Sequence, residues 1–111
     1  MNNEAIMSFG QVISKARKKA QLSQKDLASK IIKEDGEPIS PQYLNDIERD
    51  RRNPPSEHIL KQIAKELNLS SDYLKILAGK LPEDIDVGEY KPEQIDAAIH
   101  AFRKTLKSNG K

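Results

Sequence analysis

The sequence contains no cysteine, so disulfide staples and thiolate metal ligands are excluded, which fits a reducing compartment. It has only two histidines, His58 and His100, and they stand far apart. No Ser-His-Asp order, metal-ligand spacing or glycine-rich phosphate loop accompanies them, so the chain is not expected to be an enzyme or to hold a metal or cofactor. No apolar run approaches the roughly 20 residues that span a bilayer, and the N-terminus lacks the apolar stretch of a secretory leader. A soluble, cytoplasmic protein without membrane contact is expected. Asn68-Leu69-Ser70 matches a glycosylation triplet but reads better as a helix end, and the Glu83/Asp84 carboxylates read as a solvated linker pair rather than an acid–base dyad.

With 111 residues and 36% hydrophobic content, the chain can build one modest core. A net charge of +2 is too small by itself to argue for nucleic acid. Its placement says more, because residues 1–80 hold 14 Lys+Arg against 11 Asp+Glu, whereas residues 81–111 hold 5 against 6. The positive charge gathers in two clusters, Lys15/Arg17/Lys18/Lys19 and Arg49/Arg51/Arg52.

Helical periodicity runs along the chain, and sustained period-two alternation is nowhere present, which predicts an all-α fold. Phe9, Val12, Ile13, Ala16 and Ala20 share one face of a first helix, with Ser8 and Gln11 at capping-box spacing. Ser23 opens a second helix that turns Leu27, Ala28 and Ile31 inward. Ser40-Pro41 opens a third, since a hydroxyl caps free N–H groups and proline costs nothing where its missing N–H would be unpaired. Ser56 caps a fourth helix with a wide stripe of Ile59, Leu60, Ile63, Ala64 and Leu67. Ser70 or Ser71 caps a fifth, which carries Tyr73, Leu74 and Leu77 and stops at Gly79. The acidic stretch from Leu81 to Tyr90 reads as a linker, and Pro92 starts a sixth helix with Ile95, Ala98, Ile99, Phe102 and Leu106 on one side.

The third helix differs from its neighbours in having only Leu44 and Ile47 for a core and a broad polar surface left over. A helix that commits so little to packing is suited to meet a partner. In this setting "LSQKDLASKI", "ISPQYLNDIERDRRNPP" and "ILKQIAKELNLSSDYL", in that order, resemble the helix-turn-helix domain of the phage-repressor or Xre (Cro-like) family. The resemblance spans Phe9 to about Leu77. It implies five helices forming a DNA-binding domain over residues 8–79, with residues 80–111 left as an acidic linker and a C-terminal amphipathic helix.

The resemblance also implies roles. Gln24 matches a phosphate-contacting glutamine, a role that the positive end of a helix supports. Pro41, Gln42 and Asp46 fall at base-reading positions, with Tyr43 and Asn45 beside them. Arg49, Arg51, Arg52 and Asn53 occupy a loop that follows the DNA backbone, and Lys18, Lys19, Lys25 and Ser40 complete the DNA-facing set. Amides suit adenine, a carboxylate suits cytosine, and arginines neutralise phosphate. Arg17 and Glu48 match a structural ion pair instead.

One departure from the family stands between the second and third helices, where "KEDGEPI", residues 33–39, exceeds the usual three or four residues. Either the second helix runs one turn further to Asp35 and ends at Gly36, or the turn is an excursion. The implied partner is double-stranded DNA, bound by a homodimer that represses from an inverted repeat. Ile76, Ile95, Ala98, Ile99 and Phe102 are the expected dimer contact, against the alternative that the last helix folds onto its own subunit. A second functional reading is an antitoxin or other regulator whose main role is to bind a regulatory protein partner.

Overall fold

The computed structural model describes residues 7–82 and 84–110, with backbone alone at 109 and 110. Glu83, half of the linker carboxylate pair, lies outside the described residues. The elements are α1 (Phe9–Lys19), α2 (Gln24–Lys30), α3 (Pro41–Glu48), α4 (Glu57–Leu67), α5 (Ser71–Leu77), a single 3₁₀ turn (Val87–Glu89) and α6 (Pro92–Gly110). The fold is all-α.

Each of the first five helices begins where a serine hydroxyl accepts the N–H three residues on. Ser8, Ser23, Ser40, Ser56 and Ser70 do so in turn, and Ser8/Gln11 and Ser23/Asp26 form reciprocal capping boxes. Of the two candidates for the fifth cap, Ser70 fills the position and Ser71 is the first helical residue. The ends are equally local. Asn68 takes the left-handed conformation that closes α4, and Gly79, at φ 81°, carries the chain out of α5.

One core joins α1 to α5. Ile13, Leu27, Ile31, Leu44, Leu60, Ile63 and Leu74 are wholly enclosed, and each such side chain contributes roughly 1.5–3 kcal/mol relative to exposure. Gly10 brings α1 against the end of α3 so closely that a Cβ there would collide with the carbonyl oxygens of Ile47 and Glu48. Its N–H donates to Asp50 Oδ1 at 2.9 Å, and Ser8 donates to the other carboxylate oxygen. Asp50 therefore fixes the start of α1 to the residue just past α3.

The long connection between α2 and α3 is an excursion, not an extra helical turn. α2 ends at Lys30, Ile31 is extended, and Ile32 pairs antiparallel with Pro38 in an isolated bridge. Gly36, at φ 91°, supplies the reversal between them. The small loop is fastened to α4. Gln62 accepts from Ile32 N–H at 2.8 Å and donates to Ile32 O at 2.6 Å, so its side-chain amide replaces a missing strand. His58 Nε2 donates to the same oxygen at 2.9 Å, and Ser56 donates to Glu34.

α6 behaves differently. None of its described side chains is buried, and its apolar stripe faces a groove rather than the core. No helix among the described residues is long and apolar enough to cross a membrane.

Candidate nucleic-acid interface

α3 is held by its inner face and offers its outer one. Leu44 and Ile47 enter the core, and Glu48 is the third buried residue of the helix. A buried carboxylate is costly unless paired and hydrogen-bonded. Arg17 meets that requirement, with Nε donating to Oε2 at 2.7 Å and Nη2 to Oε1 at 3.0 Å. The Glu48 carboxylate raises the pKa of the guanidinium, more than offsetting the opposite push of burial. Arg17 Nη1 also donates to Leu22 O at 2.8 Å, so one side chain joins α1, the α1–α2 turn and α3.

Gln24, at the first position of α2, extends this network. Its Nε2 donates to Glu48 Oε1 at 3.0 Å and to Asn45 Oδ1 at 3.1 Å. Both amide hydrogens are thereby engaged, and the open atom is the carbonyl, an acceptor. A phosphate contact by this side chain requires it to release one of those bonds. Asn45 Oδ1 also accepts from Arg49 Nε at 3.3 Å, one turn further along α3. Together with Ser14 and Lys18, these residues line a polar cleft between α1, α2 and α3.

A second cluster occupies the outward side of α3. Gln42 Nε2 donates to Asp46 Oδ1 at 3.0 Å, while Arg52 Nε lies 3.6 Å from Asp46 Oδ2. The Arg52 guanidinium stands over the Tyr43 ring, 4.9 Å from its centre, a distance at which the ring's negative face attracts the cation. Gln42, Arg49 and Arg52 are exposed, and Tyr43, Asn45 and Asp46 are half-buried at the base of the surface. The amide and carboxylate are thus held in place before any ligand arrives, which lowers the ordering cost of recognition.

Around these clusters the remaining candidates are dispersed. Ser40 accepts the Tyr43 N–H to cap α3 and keeps its hydroxyl proton to donate to a ligand, and Pro41 fills the first helical position. Lys19, Lys25, Arg51 and Asn53 are exposed and stand outside both clusters. Ile76 of α5 and Ile95, Ala98, Ile99 and Phe102 of α6 line one separate groove.

Three positions that order the interface escaped the sequence reading. Asp50 and Gln62 set the placement of α3 and of the loop before it, and Ser14 lines the cleft. Asp50 takes a left-handed conformation, φ 58°, which aspartate tolerates in a turn, but nothing local points to its partner Gly10, 40 residues away in sequence. Nothing near Gln62 points to Ile32.

Comparison with known proteins bears on the family and the fold. The Helix-turn-helix (HTH_3) family model matches residues 13–74. The P22 c2 repressor, solved in complex with a synthetic operator, is 26% identical with a TM-score of 0.53, over 62% of this chain and 94% of that one. Two weaker likenesses extend further along the chain. The clp gene regulator ClgR from Corynebacterium glutamicum is 21% identical with a TM-score of 0.48, over 91% of this chain and 88% of that one. The SinR protein in the SinR–SinI complex is 23% identical with a TM-score of 0.49, over 92% and 94%. No curated protein matches the chain. A family model covering more than half of the sequence, on a fold shared with a phage repressor, decides the matter: the chain belongs to the Xre/Cro-type helix-turn-helix family, a family of DNA-binding regulators and not of enzymes.

Proposed function

We propose that the chain is a transcriptional repressor that binds an inverted-repeat operator as a homodimer, with α3 entering the major groove. The observation that carries this reading is the outer face of α3, where Gln42 and Asp46 are mutually held and Arg52 pairs with Asp46 and lies over Tyr43. Bases are read by such amide and carboxylate groups, and the nearby arginines meet phosphates on either side. Arg17 and Glu48 serve structure rather than contact in this scheme, since their charges face each other and not the solvent. The excursion at 33–39 carries Glu34, Asp35 and Glu37, and its anchoring to α4 through Gln62 and Ser56 holds that acidic loop apart from the movement of α3 into the groove.

One α3 reads only a few base pairs, so two copies on half-sites about one helical turn apart, roughly 34 Å, are needed for a useful affinity. Residues 8–79 then form the DNA-binding unit, and residues 80–111 the part that brings two copies together. Selection from random duplexes at moderate salt should return an inverted repeat. Recovery of no preferred sequence would overturn the assignment. The apolar groove at α6 favours one second reading, a regulator that docks a protein partner there. Under that reading purified chain alone selects single half-sites.

A further inference from the structure

α6 exposes the residues a helix normally hides. Ile99 is 40% accessible, Phe102 50% and Leu106 57%, although all lie on one stripe with Ile95. The stripe forms one wall of a groove almost free of polar atoms, and Ile76 of α5 with Leu81, Ile85 and Val87 of the connection forms the other. An open apolar slot beside a helix is shaped to accept a second helix.

Charge on α6 identifies that helix. Asp96 and Arg103 are seven residues apart, about two turns, so they lie on the same flank of the stripe. The other flank carries Gln94, Ala101 and Thr105, none of them charged. When two identical helices run antiparallel, each flank meets the same flank of its twin in reverse order. When they run parallel, opposite flanks meet. An antiparallel pair centred near His100 therefore sets Asp96 against Arg103 of the second copy, and Arg103 against its Asp96. The same register brings Ile99 against Phe102 on either side of the axis and Ile95 against Leu106. Glu93 falls opposite Lys107 at each end. A parallel pair would face the charged flank with Gln94 and Thr105 and gain none of these contacts.

We infer that α6 seats in the groove of a second copy of this chain as an antiparallel pair, with its register set by reciprocal Asp96–Arg103 contacts. The inference rests on the dimer reading above and adds its orientation, its register and two residues outside the apolar stripe. All four charges are exposed in the single chain, so changing them leaves the folded core untouched.

The test is independent of DNA and uses the full chain: sedimentation equilibrium at low and moderate salt, with circular dichroism to check folding. Asp96→Arg and Arg103→Asp each create two like-charge contacts across the axis, and each should weaken self-association about tenfold at low salt. Mixing the two variants should restore wild-type affinity in a heterodimer, where every charge again faces its opposite, and so should the doubly reversed chain. Single variants that associate as tightly as wild type, or a mixture with no preference for the heterodimer, would overturn the antiparallel register. A wild-type chain that stays monomeric would overturn the pairing itself. Because Asp96 and Arg103 are exposed residues of α6 and belong to neither α3 cluster, duplex selection with the same variants separates either failure from a failure of DNA binding.

Discussion

α3 and α6 are both amphipathic helices with one face left open, and the open faces are of opposite kinds. α3 spends its few apolar residues and one paired carboxylate on the core and presents polar groups outward. α6 buries no described side chain and presents apolar ones. The contrast shows that an amphipathic pattern states which residues leave water together but not where they go. For α3 the destination is the chain's own core, reached through close approach at Gly10 and the Arg17–Glu48 pair. The α6 stripe instead shares a groove with Ile76, Leu81, Ile85 and Val87, and most of it stays exposed.

The sharpest way to break this contrast is to release α3 from the body. Glu48→Ala leaves the Arg17 guanidinium buried without its carboxylate and Gln24 without one acceptor. It should cost on the order of 3–5 kcal/mol of stability in denaturant titration, before any change in sequence preference. Unchanged stability with lost DNA binding would instead move Glu48 into the interface.

The next effect concerns the open face of α3 itself. Gln42→Ala or Asp46→Ala should cost about 1–3 kcal/mol of discrimination at one or two base pairs. Arg51→Ala should weaken all sequences alike and reduce the salt slope by about one. Competition binding against single-base operator variants measures the difference, and equal losses across every variant for Gln42→Ala would remove it from base reading.

Truncation after Lys80 tests the opposite pole. If the α6 stripe serves a second copy, the shortened chain should keep its melting transition, with a change within about 1 kcal/mol, while losing cooperative occupancy of two half-sites. A large fall in stability would mean that α6 supports its own subunit. The smallest expected effect lies between the two regions, where α4 meets α5. Lys75, buried at the side-chain level, donates to Glu57 at 2.6 Å and holds the Glu57 carboxyl below the usual carboxylate range. A carboxylate with a depressed folded pKa contributes stability above its unfolded value, about 4.3, and loses it as pH falls through the folded one. Glu57→Gln should therefore flatten the stability profile below about pH 4, seen in melting temperatures across that range.

Most of the helical framework could be read from the sequence, because its determinants are local. A serine three residues ahead of an N–H, a proline at the first helical position, and glycine or asparagine past the last turn each act within one turn of chain. The long connection was only half legible. "KEDGEPI" announced a departure, yet the choice between an added turn and an excursion depended on Gln62, His58 and Ser56, which approach from α4. The α3 surface was legible as a set of residue types through the family pattern, but its division into two clusters was not. That division follows from Gln24 turning both amide hydrogens inward and from Arg52 folding back over Tyr43.

The sequence alone determined the helix order, the inward stripes of α2 and α4 and that of α1 apart from Ala20, which is exposed past the helix end, and the unusually polar surface of α3, since periodicity and capping are properties of neighbouring residues. Only the tertiary structure decided that Gly10 sits under Asp50, that the 33–39 loop closes on α4, and that the α6 stripe lines a groove with Ile76 and Leu81 while staying largely exposed. Each of these depends on groups far apart in sequence meeting in space, and no local pattern encodes the distance between them.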